Sequence, residues 1–183
     1  MRRFLSAEYD VRADFYKRIR EGIVGTLRER SPLELLDDLV DAQEHPPKRE
    51  HFPAVVTGFH YFHEQHCAKG YTWFEPPQAV WTRGEVSVKV NPELGFEVGG
   101  TPYLVKLYMK EEKLLGNRAQ VVNQMMRETC GERAPSGCVM AVLDLRRGKV
   151  ASPKPKPDVA VQLDGEAAYW AVVARSLRGS GVA

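Results

Sequence analysis

Between Glu85 and Lys110 apolar and polar residues alternate for long enough to decide which side chains share a face. Val86, Val88, Val90, Leu94, Phe96 and Val98 hold even positions; Glu85, Ser87, Lys89, Asn91, Glu93 and Glu97 hold odd ones. A period of two marks a half-buried strand. Gly99-Gly100 supplies the positive-φ pair of a tight hairpin turn, and Tyr103, Val105, Leu107 and Met109 continue the apolar face on the return. With that turn Val98 opposes Thr101, Glu93 opposes Lys106, Asn91 opposes Tyr108 and Lys89 opposes Lys110. Directly opposed side chains of this kind stand about 5 Å apart at Cβ. Pro92 bends the first strand or marks its start.

At 183 residues and 43% hydrophobic content the chain can bury a real core and is read as one domain, residues 1–183. Within it, 1–70 form a helical amino-terminal layer, 77–146 a sheet core, and 151–183 a strand and helix after a Pro/Lys connector. A net charge of +2 does not by itself call for a polyanionic partner. Residues 146–156, however, hold Arg146, Arg147, Lys149, Lys154 and Lys156 without an acid, a local basic arm. Three cysteines, Cys67, Cys130 and Cys138, form an odd set without paired spacing, which predicts reduced thiols and a cytoplasmic location. Met1 to Leu5 run into charged residues without the apolar stretch of a secretory signal, and no segment has the roughly 20 apolar residues of a membrane span.

Phe15, Ile19, Ile23 and Leu27 predict a helix from about Asp10 to Arg30. Ser31-Pro32-Leu33-Glu34 has the form of a capping box for a second helix reaching about Gln43. His45-Pro46-Pro47 ends it, and Phe52, Val55, Val56, Phe59 and Phe62 predict a third helix to about Cys67, stopped by Gly70. A strand over 79–82 turns at Arg83-Gly84, setting Trp81 against Val86, so that three antiparallel strands result. Asn117 caps a crossover helix carrying Val121, Val122, Met125 and Met126, and Gly137 to Leu145 reads as a buried fourth strand. After the proline-rich 152–157 connector come a short strand, Val159 to Leu163, and a helix from Glu166 to Leu177 capped by Asp164. The fold class is therefore α/β (α+β): a mixed sheet with helices packed on it.

The order helix, three antiparallel strands, helix, strand over residues 54–145 resembles the core of the PD-(D/E)XK restriction-endonuclease-like superfamily. Asn91-Pro92-Glu93 matches the proline-acid start of that family's second strand, and Lys106 or Lys110 stands for its lysine. The third strand departs from the pattern: the acid expected two residues before lysine is Leu104 before Lys106 and Tyr108 before Lys110. The resemblance implies metal-dependent phosphodiester hydrolysis with Glu93, Lys106, Tyr108 and Lys110 as catalytic candidates and Mg²⁺ as the cation. Such a cation needs at least two oxygen ligands, and one carboxylate is a poor site. Glu64 on the third helix is the candidate for a second. The bland alternative makes Glu93 and Lys106 an ion pair on a solvated face, stabilising by about 0–1 kcal/mol.

His60, His63 and Cys67, spaced by three and four residues on one helical face, form an alternative zinc set; amid Phe59, Tyr61 and Phe62 they equally suit partly buried packing. Cys67 with a neighbouring histidine lacks the oxyanion site and orienting group of a thiol enzyme. Tyr71, Trp73, Phe74 and Trp81 are read as a lid over the core rather than a base-stacking platform. Two functional readings follow. One is a nuclease-like protein with an incomplete motif that binds nucleic acid or a partner through the polar hairpin face and Arg146, Arg147 and Lys149. The other is a self-associating protein-interaction or regulatory module without catalysis.

Overall fold

The amino-terminal apolar stripes fold as helices, α1 (Lys17–Glu29), α2 (Glu34–Asp41) and α3 (Pro46–His66). The structure, a computed structural model, describes residues 15–179, so the expected start of the first helix before residue 15 lies outside the described residues. Ile19, Ile23 and Leu27 of α1 are fully buried, as their spacing requires. The expected capping box does not form: α2 starts at Glu34 with Leu33 at its cap, and Leu35 and Leu36 N–H groups donate to the Pro32 and Leu33 carbonyls in a tight first turn. Pro46-Pro47 opens α3 rather than only ending α2, because a proline in the first turn lacks only an N–H that would have been unpaired anyway.

Seven strands follow among the described residues: β1 (Thr72–Trp73), β2 (Ala79–Arg83), β3 (Val86–Val90), β4 (Leu94–Val98), β5 (Thr101–Tyr108), β6 (Val139–Asp144) and β7 (Lys149–Ala151). They form a five-stranded mixed sheet in the order β1-β4-β5-β6-β7 and a separate two-stranded ribbon, β2-β3. Helix α4 (Gly116–Cys130) crosses over between β5 and β6, which run parallel, while every other neighbouring pair is antiparallel. Helix α5 (Pro157–Gly179) closes the described chain. The molecule is thus mixed α/β, as expected. No helix among the described residues is long and apolar enough to cross a membrane.

The alternation that predicts one long strand from residue 85 to 98 is broken at Asn91-Pro92-Glu93, which lie outside both strands. Proline cannot donate to a ladder, and the chain leaves the ribbon there for the main sheet. Val98 opposes Thr101 as expected, across Gly99 and Gly100 at φ +57° and +78°. Lys89 instead pairs with Val80, so the expected Lys89–Lys110 and Asn91–Tyr108 pairs are not formed. The ribbon turns at Gly84-Glu85, one residue later than expected, and Trp81 opposes Val88 rather than Val86.

Two cores result, one on each face of the sheet. Leu94, Phe96, Val105, Leu107, Ala141 and Leu143 pack beneath α1, α2 and α3 with Phe52, Phe59 and Phe62. Leu104 and Met140, on the opposite face, pack with Trp81 and Val90 of the ribbon, Met126 and Cys130 of α4, and Val159, Leu163 and Ala167 of α5. The expected strand over Val159 to Leu163 is therefore the first turns of α5: Val159 and Leu163, four apart, are buried while Val161 is 71% exposed. The expected aromatic lid packs over the core but is split between its two layers, Tyr71 and Trp73 against the first and Phe74 and Trp81 in the second. Trp73 belongs to edge strand β1, Tyr71 donates its hydroxyl to the Leu27 carbonyl at 2.9 Å, and the Trp81 indole donates to Glu128 Oε2 at 2.8 Å.

Candidate functional site

Where β3 leaves for the ribbon, β5 continues without its antiparallel neighbour, and backbone polar groups lose their ladder partners. Side chains replace them. Glu93 Oε2 accepts the Leu107 N–H at 2.8 Å, its Oε1 takes the Lys106 ammonium in a close ion pair, and Lys106 Nζ also donates to the Asn91 carbonyl at 3.0 Å. The expected opposition of Glu93 and Lys106 thus exists, but it is not a solvated surface pair: the Glu93 side chain is 12% exposed and that of Lys106 35%. Both carboxylate oxygens of Glu93 are engaged in bridging the divergence of two strands. Leu104, where the resembled family carries its second acid, is fully buried in apolar packing.

A second polar group stands at the carboxyl ends of the parallel strands. Tyr108 of β5, Asp144 of β6 and Lys149 of β7 are register partners and make one transverse row. Asp144 is 3% exposed, yet fully partnered: Leu114 N–H donates to its Oδ2 at 3.1 Å, and Arg147 reaches both oxygens at 3.3 and 3.4 Å. Arg147 also donates to the Glu111 carbonyl at 2.9 Å, so this pair anchors the β5–α4 loop at two points. Arg118, in the first turn of α4, donates to the Tyr108 hydroxyl at 3.4 Å. Lys110, Arg118, Arg147 and Lys149 stay exposed around this rim, together with Glu111, Glu112 and Lys113. The carboxyl ends of parallel strands are where open α/β sheets bind ligands. Asp144 and Arg118 escaped the sequence reading; the signal was an acid ending an apolar run immediately before Arg146-Arg147.

The basic arm expected over 146–156 is only partly free. Arg146 donates to His51 Nδ1 of α3 at 2.9 Å, and since a guanidinium can only donate, that nitrogen must be unprotonated. Lys149 opens strand β7, and Lys154 and Lys156 are exposed beyond it.

Glu64 does not join Glu93. It is exposed on α3, which covers the Val105 and Leu107 face, whereas Lys106 and its partner Glu93 lie on the Leu104 face. The zinc set likewise turns to separate neighbours. His60 Nε2 lies 3.8 Å from Asp37 of α2, the His63 ring meets Tyr71 edge-on at 6.2 Å, and Cys67 is buried in the first core. Among the described residues no three His, Cys, Asp or Glu side chains gather into a group able to hold a metal ion. Burial, and then the neighbouring His60, pull His63 below the usual imidazole range.

Burial pushes the Cys67 thiol up to about 12 and the Cys138 thiol up to about 11. The thiolate is the reactive form, so neither is poised as a nucleophile. A thiol-specific reagent near neutral pH should leave Cys67 and the buried Cys130 unmodified in native protein while all three cysteines react in denaturant. Prompt native reaction of Cys67 would contradict this environment. Because folding raises the Cys67 value above 9, the stability gained from its protonated state is complete below pH 9 and is lost as pH rises towards 12.

Comparison with protein-family models, with curated proteins and with solved structures finds no match to this chain.

Proposed function

We propose that this chain is a non-catalytic protein with a nuclease-like core that binds nucleic acid through the rim at the carboxyl ends of β5 and β6. The observation that carries the non-catalytic part is the occupation of Glu93: both its oxygens bridge strands, and Leu104 supplies apolar packing where a second ligand would be needed. Helix α3, the β4-β5 hairpin, the crossover helix α4 and parallel β6 support the resemblance to the PD-(D/E)XK superfamily, whereas the strand expected over 79–82 pairs in the separate ribbon and the two-residue β1 takes its place beside β4. The residues here do not fit the Mg²⁺ that this resemblance implies: Glu93 has both oxygens engaged, and among the described residues no further carboxylate joins it.

Binding is assigned to Lys149, which ends the Tyr108–Asp144–Lys149 row, and to Lys110 and Arg118 beside Tyr108, with Arg147 holding the adjoining loop. Asp144 does not oppose a phosphate here, since Arg147 and the Leu114 N–H already neutralise and bond it. Cations so placed recognise the backbone rather than the bases, so sequence preference should be slight.

The test is fluorescence anisotropy with labelled single- and double-stranded DNA and RNA over a salt series. Each phosphate contact contributes about −0.9 to the slope of log K against log salt on duplex DNA, so reversing Lys110, Arg118 and Lys149 to glutamate should flatten the slope by about 2 to 3. These three are preferable to Arg146 and Arg147, whose reversal would break internal bonds to His51 and Asp144, whereas Arg118 gives up only a 3.4 Å bond to the Tyr108 hydroxyl. Affinity independent of salt, or a slope unchanged in the triple variant, overturns the assignment.

A further inference from the structure

Helix α5 buries one stripe, Val159, Leu163, Ala167 and Ala171, and leaves a second apolar stripe in solvent. Val161 and Val172 are 71% and 54% exposed, and Gly165 and Ala168 between them are exposed as well. The four follow a 4-3-4 spacing, the seam of a two-helix coiled coil, and lie within about 60° of arc on the helix. Tyr169, 61% exposed, widens this face on one side, whereas Trp170, 51% exposed and in edge contact with Tyr169 at 5.7 Å, turns towards the margin of the buried stripe. Nothing among the described residues accounts for glycine at 165: a Cβ there would meet none of their atoms within 4 Å, and a mid-helix glycine costs about 0.5–1 kcal/mol relative to alanine. A small residue on an open helix face does, however, let another backbone approach closely.

We propose that a second copy of this chain covers the stripe, the two α5 helices packing antiparallel about a two-fold axis between Glu166 and Ala167. The seam is self-complementary about that point. Val161 opposes Val172 of the other copy, Gly165 opposes Ala168, and the flanking Asp158 opposes Arg175, so apolar meets apolar, small meets small and acid meets base at once. A parallel pair would place Asp158 on Asp158 and Arg175 on Arg175, and like charges suppress the wrong partner. Arg175 already contacts Glu85 of its own chain at 3.3 Å and, at 61% exposure, can accept a further carboxylate. An isologous contact of this type is the commonest form of oligomer. The exposed parts of Val161, Tyr169 and Val172 amount to roughly 300 Å² per copy, the size of an ordinary monomer's largest apolar patch and below that of a standard interface, which fits a weak dimer with a Kd in the micromolar range or above. This association is independent of the nucleic-acid rim, which α5 does not enter.

Sedimentation equilibrium over protein concentrations bracketing a micromolar Kd tests it. Wild type should pass from monomer to dimer, and Ala168→Arg and Val172→Glu should each raise Kd by about a hundredfold, two such steps of 1.4 kcal/mol per decade. Thermal unfolding of the variants under monomeric conditions should match wild type, since neither side chain packs inside the monomer. Direction is read by oxidation: a mixture of Val161→Cys and Val172→Cys proteins should give a covalent dimer that neither gives alone. A monomer at every concentration, or dimerisation unaffected by both seam substitutions, overturns the proposal; cross-linking of each variant with itself overturns the antiparallel arrangement.

Discussion

Replacing Gly58 by alanine is expected to remove a large share of the stability of the fold. An alanine in a helix ordinarily stabilises relative to glycine by about 0.5–1 kcal/mol, so the expected sign is the reverse of the local preference. The reason is a contact between backbones. A Cβ on Gly58 of α3 would lie 1.6 Å from the Leu145 carbonyl oxygen and 2.7 Å from its carbon, in the 3-10 turn Leu145–Arg147 that follows β6. Neither atom is the end of a flexible side chain that could rotate away. The fit is mutual, because a Cβ on Gly148, at φ +59°, would come within 2.8 Å of the Gly58 carbonyl. Accommodating alanine requires α3 to retreat from the turn, opening a core in which Phe59, Phe62 and Leu145 are essentially inaccessible. A loss of about 3–5 kcal/mol follows, against a typical total of 5–15. Urea denaturation of Gly58→Ala beside Gly165→Ala is the measurement: the first should shift the midpoint far downward while the second, on the open seam, shifts it slightly upward. An unchanged midpoint for Gly58→Ala would refute the close approach.

The second large effect is expected from Glu93→Ala and Lys106→Ala, and it falls on stability rather than turnover. Removing the Glu93 carboxylate leaves the Leu107 N–H without its acceptor and the Lys106 ammonium with only the Asn91 carbonyl. An unsatisfied, mostly buried amide and the loss of a charge-assisted bond together cost about 2–4 kcal/mol. Lys106→Ala should cost somewhat less, since its side chain is 35% exposed and solvent screens what is lost. In a double-mutant cycle the pair should couple by at least about 1 kcal/mol. Labelled DNA and RNA incubated with Mg²⁺ or Mn²⁺ should remain intact with wild type. If wild type cleaves, and Glu93→Ala abolishes cleavage while leaving the unfolding midpoint in place, the bridging role is wrong and Glu93 is a ligand.

Periodicity made the elements legible, and neighbour-dependent chemistry did not. Ile19, Ile23 and Leu27 named α1, and Gly99-Gly100 named the β4–β5 turn with its correct register, because each signal is local. The alternation from Val86 to Val98 misled at one point only. Val90 and Leu94 are both buried, but in different cores on opposite faces, and polarity alone does not say which face is meant. Val159 to Leu163 misled for a related reason: residues two apart and four apart were both apolar, and only the exposure of Val161 separates strand from helix. At the site, the meeting of Glu93 and Lys106 was legible from register. Their work on freed backbone groups was not, since it depends on where β3 departs. Asp144 and Arg118 were out of reach because parallel pairing across a 30-residue crossover sets their positions, and no short motif encodes it.

Adjacent residues of β5 serve opposite layers, Leu104 one core and Val105 the other, with Lys106 and Leu107 repeating the division. A slip of β5 by a single residue would therefore drive the Lys106 ammonium into the apolar layer beneath α3 and strand Leu107 at the polar rim. Misregistered pairing carries a charge-burial cost of several kcal/mol before any contact is counted. One lysine thus acts as a register key, excluding by its chemistry the alternative alignments that a strand of Leu and Val alone would tolerate.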